Sequence, residues 1–126
     1  MSTEEGNKLI EKFNHPEYSI NGDWILKNDE VGTRYHVSVL QYHTSWDWLM
    51  PVVEKIEKIH DDFHGYFGVH IYSNSCTIQG TNLRTDPENF HPAYMSDPNL
   101  ICETKIESTW YNILQFIQWY NKTTKQ

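Results

Sequence analysis

Seven histidines in a chain of 126 residues raise the question of a metal site first. His60 and His64 stand at i, i+4 with Asp61 and Asp62 between them, a spacing that sets two ligands on one face of a helix. A closed site needs a third and a fourth ligand at readable spacing, and the two cysteines, Cys76 and Cys102, form no C-x-x-C pair. The helix that would carry the histidines should also be ending before Gly65. A polar helix end is the better reading, and neither a metal nor a cofactor is expected.

Nucleophilic and acid–base chemistry are no better supported. Cys76 falls on the same face of a predicted strand as Ile78, which suits a small core residue. Cys102 borders a predicted helix start, where a thiolate would be favoured, but no histidine–acid pair can be assigned to it. Glu54 and Glu57 lie beside Lys55 and Lys58 on a solvated helix face, which suits surface ion pairs. The sequence has no glycine-rich phosphate loop, so no catalytic residues are expected and the chain is read as a non-enzyme.

One constellation could bind a ligand without reacting with it. The chain around Tyr42, His43, Thr44, Ser45, Trp46 and Trp48 opens the central helix, and Arg34 and His36 lie on the strand before it. Helix N-termini offer free N–H groups and partial positive charge to anions. Aromatic planes beside such a donor cluster suit the base of a nucleotide-like ligand. The competing reading is plain packing by the two tryptophans. A second constellation, Arg84, His91 and Tyr94 with Phe90 and Met95, lies among Pro87, Pro92 and Pro98, and suits either a lid or partner contact or a loop that caps the sheet.

These residues need elements to position them. Ser2 to Glu5, Thr44 to Asp47 and Thr104 to Glu107 each have the form of a capping box, so three helices are expected. Leu9, Ile10 and Phe13 stripe the first. Leu49, Val52, Val53, Ile56 and Ile59 stripe the second, with Pro51 marking a separate turn or a kink. Ile106, Trp110, Ile113, Leu114, Ile117 and Tyr120 stripe the third, with Trp119 beside that stripe as an oligomer contact.

Two short strands are expected about Asn21-Gly22, from Tyr18 to Ile20 and from Trp24 to Lys27. Thr33 to Leu40 alternates, with Tyr35, Val37 and Val39 on one face and Arg34, His36 and Ser38 on the other. Tyr66 to Tyr72 alternates again and returns through Cys76 and Ile78. Residues 80–103 read as an irregular excursion. The expected fold is one α+β domain over residues 1–126, a mostly antiparallel sheet packed between or against three helices in the order α-β-β-β-α-β-β-α, a sandwich.

Composition narrows the partners. Hydrophobic residues make up 38% and charged residues 21%, which is globular rather than disordered. Ten basic against seventeen acidic residues give a formal charge of −7. That argues against binding a nucleic acid polymer or a membrane surface, both of which need a basic face. No apolar signal region opens the sequence and no run reaches membrane length, so cytoplasmic expression with reduced thiols is expected.

The block from Tyr42 through Thr44-Ser45-Trp46-Asp47-Trp48-Leu49-Met50-Pro51 to Glu57 resembles a recurrent block in small uncharacterised proteins of Bacteroidetes phages and prophages. Lys105-Ile106-Glu107-Ser108-Thr109-Trp110, running on to Phe116-Ile117-Gln118-Trp119-Tyr120-Asn121, resembles the C-terminal helix of the same proteins. The element order is similar to the phage ABA sandwich domain. The resemblance implies a phage origin, a fold and the cytoplasm of an infected bacterial host. It carries no known activity, so no site residue is transferred from it.

Two functions are compatible with these expectations. The first is a phage accessory protein that sequesters a small anionic, nucleotide-type host immune signal. The second is a protein–protein module that docks on a host or phage protein, as a homo-oligomer.

Overall fold

The computed structural model describes residues 1–61, 65–80 and 102–124. Its first helix, α1 (Thr3–Asn14), begins as the capping box asks, with the Ser2 hydroxyl accepting from the Glu5 backbone N–H at 3.2 Å. The last helix, α3 (Lys105–Thr124), does the same, with Thr104 Oγ1 accepting from the Glu107 N–H at 3.1 Å. The central helix, α2 (Trp46–Lys58), departs from expectation. Ser45, not Thr44, stands at its N-cap and makes no side-chain capping bond. The backbone N–H groups of Thr44 and Ser45 both donate to the Gln41 carbonyl, at 3.2 and 2.9 Å. That tight turn holds Thr44 outside the helix. Pro51 lies inside one continuous α2.

Strands β1 (Ser19–Asn21), β2 (Trp24–Leu26) and β3 (Arg34–His36) form one antiparallel sheet in that order. Their first turn is the two-residue loop Gly22-Asp23, where Gly22 takes φ 60°, a conformation that favours glycine. Ile25 is buried at the centre of the sheet and pairs with Ile20 and Tyr35. The alternation expected through Leu40 breaks after His36, because Val37–Val39 winds into a 3-10 turn. His36 Nδ1 accepts from the Ser38 N–H at 3.1 Å and fixes that turn. Val37 and Leu40 are therefore buried, while Val39 is turned out to solvent.

A second antiparallel sheet, β4 (His60–Asp61), β5 (Gly65–Ile71) and β6 (Cys76–Gly80), follows α2. Among the described residues the single sheet expected from sequence is thus two, although the α+β class is the one the chain adopts. His60 is on a strand, edge-on to Tyr66, and not on a helix; His64 lies outside the described residues. Phe67, Cys76 and Ile78 are buried as the alternation predicts.

Helix α2 lies against β5, α3 against β6, and α1 against α3. Leu49, Val52, Val53 and Ile56 of α2 meet Ile113, Phe116 and Ile117 of α3 in one core. Phe116, absent from the expected stripe, is fully buried, with Phe13 and Phe67 edge-on to it. Trp119 packs edge-on to Phe67 at 5.7 Å and is half-buried.

The buried face of α1 is Gly6, Asn7, Ile10 and Glu11, so the stripe of Leu9 and Phe13 expected from sequence is only partly covered. Gly6 is where α1 and α3 come closest. A Cβ at that position would stand 2.5 Å from Trp110 Cζ2 and 2.9 Å from Leu114 Cδ1. The Trp110 ring cannot yield locally, so the helices themselves must separate. Gly6→Ala should destabilise the fold by about 1–3 kcal/mol despite the better helix propensity of alanine. Urea denaturation of the two proteins checks this, and a variant as stable as the parent would contradict the packing.

Candidate functional site

Two polar networks leave α1 on different sides, and each borders a cavity. The larger cavity is a cleft of about 500 Å³ between α1, the first sheet and the first turns of α2. Its floor is Glu11, only 2% exposed. Tyr42 donates its hydroxyl to Glu11 Oε1 at 2.9 Å, and Tyr35 donates to Oε2 at 3.1 Å. His15 Nε2 stands 3.6 Å from Glu11 Oε1, and its ring stacks on Tyr18 at 4.4 Å with an interplanar angle of 15°. Trp48 closes the α2 side, edge-on to Tyr42 at 5.3 Å. Lys27 completes the rim, with Nζ 5.9 Å from the Tyr35 ring centroid.

Local structure explains why these groups converge. β3 is short and extended, so Tyr35 faces inward while Arg34 and His36 face the other way. His15 is the C-cap of α1, and the chain turns there as the Tyr18 N–H donates to the His15 carbonyl at 3.0 Å. Lys12 Nζ holds the same turn by donating to the Pro16 and Tyr18 carbonyls. Lys55 of α2 donates to the Phe13 and Asn14 carbonyls at 2.7 and 3.0 Å, placing a cation on the C-terminal end of α1. Pro51 has no N–H for the Asp47 carbonyl four residues back, and both residues border the cleft.

The second cavity, of about 430 Å³, is bordered by Thr3, His43, Thr44, Thr104 and Trp110. Trp110 Nε1 donates to Asn7 Oδ1 at 2.9 Å. An indole N–H can only donate, so the amide orientation is fixed. Asn7 Nδ2 then donates to the Leu40 carbonyl at 3.3 Å and faces His43 Nδ1 at 3.0 Å. Nδ1 must accept, which puts the proton of a neutral imidazole on Nε2. His43 in that tautomer is an oriented donor and has no Nε2 lone pair for a metal. Among the described residues no group of three or more His, Cys, Asp or Glu side chains could hold a metal ion.

The residues singled out from sequence are therefore dispersed. Trp48 joins the larger cleft, and His43 and Thr44 join the smaller cavity. Arg34 and His36 flank the 46% exposed Trp24, with the Arg34 guanidinium 5.3 Å from the indole centroid and His36 edge-on at 5.2 Å. Trp46 packs against the core, and Ser45 stands at the N-cap of α2 without a side-chain bond to it. Arg84, His91 and Tyr94 lie outside the described residues. Tyr42, named with the helix start, also lines the larger cleft, whereas sequence reasoning missed Glu11, His15, Tyr18 and Tyr35. The available signal was Asn7 and Glu11 flanking Ile10 at helical spacing, polar residues on the row that carries a buried isoleucine.

Protonation limits the chemistry these sites can do. Burial, and then the Glu11 charge, push the Tyr35 and Tyr42 hydroxyls well above the ordinary tyrosine range, so both stay protonated. Burial pushes the Cys76 thiol up to about 11, against a smaller pull from Thr109. Cys102, expected to favour a thiolate, is instead pushed up by burial and by Glu107. What the cleft offers is a fixed buried carboxylate at its floor, walled by aromatic rings, with Lys27 at the rim.

A raised tyrosine pKa means that the fold prefers the protonated ring. Its stabilisation is complete below the unfolded value of 10.0 and is lost as pH rises above it. The double variant Tyr35→Phe/Tyr42→Phe should be less stable at neutral pH and lose stability less steeply above pH 10 than the parent. Denaturation midpoints across the alkaline range test this; parallel curves would rule out the buried tyrosyl–carboxylate contacts.

Comparison with known proteins finds no matching family model and no curated relative. The fold does have a solved counterpart. The crystal structure of a phage protein from Bacillus cereus ATCC 14579 is similar with a TM-score of 0.55, covering 94% of this chain and 89% of that one at 17% sequence identity. At that identity the likeness extends to the fold, and this chain shares the α+β architecture of a phage protein.

Proposed function

We propose that this chain is a phage accessory protein that binds and holds a small host-made molecule of nucleotide type in the Glu11 cleft, without chemistry on it. One observation carries the reading: a cleft of about 500 Å³ with a buried carboxylate fixed by two tyrosyl hydroxyls at its floor. Its size is that of a small-molecule site, about 300–1,000 Å³, and polar groups fixed amid aromatic walls are what such sites use for orientation. Tyr18, Tyr35, Tyr42 and Trp48 supply faces and edges for a planar base, and Lys27 at the rim suits a phosphate. Protonated tyrosines and raised thiols favour binding over catalysis. The fold shared with a Bacillus cereus phage protein supports the phage setting, and the proposal adds to it the cytoplasm of an infected host and a role against host defence.

A second reading, docking on a host or phage protein, rests on the outer face of the first sheet, where Trp24 is exposed between Arg34 and His36. An exposed tryptophan under a guanidinium is the kind of anchor that interfaces bury. Self-association through that face would be its simplest form, and light scattering of the parent beside Trp24→Ala separates it from the cleft reading.

The cleft reading is tested by heating protein purified from its host and analysing what is released by mass spectrometry. The parent should release a nucleotide-type molecule that Trp48→Ala does not retain. Adding that molecule back at a hundred times its Kd should stabilise the parent by about 2.7 kcal/mol. Identical, empty releases from both proteins would end the proposal.

A further inference from the structure

We propose that the cleft selects a planar group presenting two N–H donors from one N–C–N unit, and that Glu11 is the acceptor of that pair. Guanine, along its N1–H and amino edge, and guanidinium both carry this unit. The inference rests on the reading of the cleft as a binding site and names the chemistry that site accepts.

The argument is one of donors and acceptors. A carboxylate has about four lone-pair positions, two on each oxygen. Tyr42 takes one on Oε1 and Tyr35 takes one on Oε2, so each oxygen keeps one. Each tyrosyl hydroxyl has a single proton, and both protons are committed to Glu11. Around Glu11 the floor therefore presents acceptors, the remaining carboxylate lone pairs and the Tyr35 oxygen, while the Tyr42 oxygen already bonds the Asn14 side chain. The Asp47 carboxylate at the border, and the Asp47 carbonyl that Pro51 cannot serve, extend the same character.

His15 already places a planar N–C–N edge in the cleft, although only an imidazolium carries an N–H on both nitrogens, and the Asn14 amide Nδ2 lies 3.4 Å from its Nε2. Its imidazole is flat on Tyr18, with Nε2 3.6 Å from Glu11 Oε1 and Nδ1 3.6 Å from Glu17 Oε1. The Nδ1–Cε1–Nε2 edge thus bridges two carboxylates from an aromatic face. Its distances are too long for good hydrogen bonds, so the imidazole covers the carboxylate without satisfying it. The His15 side chain is 37% exposed and has solvent to swing into. A ligand with two parallel N–H donors takes its place, stacks on Tyr18 and pairs with the two Glu11 oxygens at full hydrogen-bond distance. Adenine sets a donor beside an acceptor, and its N1 lone pair would face the acceptor floor unpaired.

Isothermal calorimetry with GMP, AMP and agmatine tests this on the parent, Glu11→Gln and His15→Ala. The parent should bind GMP, agmatine or both, with AMP weaker by about tenfold or more. GMP alone identifies a guanine base as the source, agmatine alone a guanidinium cation, and both the shared unit. Glu11→Gln, which puts an amide donor into the floor, should weaken the bound probe by about 10- to 100-fold. His15→Ala should bind the same probe at least as tightly, and it carries the test if circular dichroism shows Glu11→Gln unfolded. AMP binding as tightly as GMP with agmatine silent, an unchanged Kd in a folded Glu11→Gln, or no binding of any probe to either the parent or His15→Ala overturns the proposal. A different molecule released by the parent and not retained by Trp48→Ala would then leave the cleft as a binding site and discard only its donor-pair selectivity.

Discussion

The Glu11 carboxylate is the constraint on which the polar half of this structure depends. A charge taken out of water without partners is among the costliest events in folding, and the cost is met only by close, well-aligned donors. Those donors are Tyr35 on β3 and Tyr42 just before α2, so three segments must be in place together. Removing either hydroxyl leaves a buried oxygen short of a donor. The network therefore fixes how α1 meets the first sheet and how the chain enters α2, which pure apolar packing would specify less tightly.

Helix α1 organises more than that cleft. One turn earlier, Asn7 receives the Trp110 indole and donates toward Leu40 and His43. Gly6 beside it lets α3 approach until Trp110 and Leu114 lie where a Cβ would be. Close approach and polar anchoring thus occur at the same level of the helix. The indole N–H needs a buried acceptor, and Asn7 reaches it because the helices are close. At the other end of α1, Lys55 and Lys12 serve carbonyls that helix geometry leaves open. The 15–18 turn that carries His15 and Tyr18 is held by those contacts.

Function-like features sit where the structure breaks the simplest rules for a stable fold. A glutamate faces inward on a helix, a proline lies within α2 at the cleft border, and a histidine covers a carboxylate at distances too long for good bonds. Each is tolerated because neighbours compensate, and all three border one cavity. The core below, built from Ile10, Leu49, Ile56, Ile113, Phe116 and Ile117, obeys the rules throughout.

The sequence by itself determined the features that depend on a few neighbouring residues. Ser2 and Thr104 announce helix starts through hydroxyls that reach three residues ahead, and Asn21-Gly22 announces a hairpin through glycine's positive φ. The alternation of Phe67, Cys76 and Ile78 and the stripe of Trp110, Ile113, Leu114 and Ile117 likewise point to their buried faces. Tertiary structure decided the rest. Glu11 meets Tyr35 and Tyr42 across 24 and 31 residues of chain, a distance over which no local pattern carries information. The Gln41 turn moved the cap of α2 from Thr44 to Ser45, and the 3-10 turn after His36 exposed Val39. Arg34, His36 and Trp46 looked like one site because they are close in sequence, but strand alternation sends Arg34 and His36 together to the Trp24 face, and helix packing sends Trp46 against the core. Local energies select elements, whereas a site is a meeting of elements, and burial decides which of their polar residues must find one another.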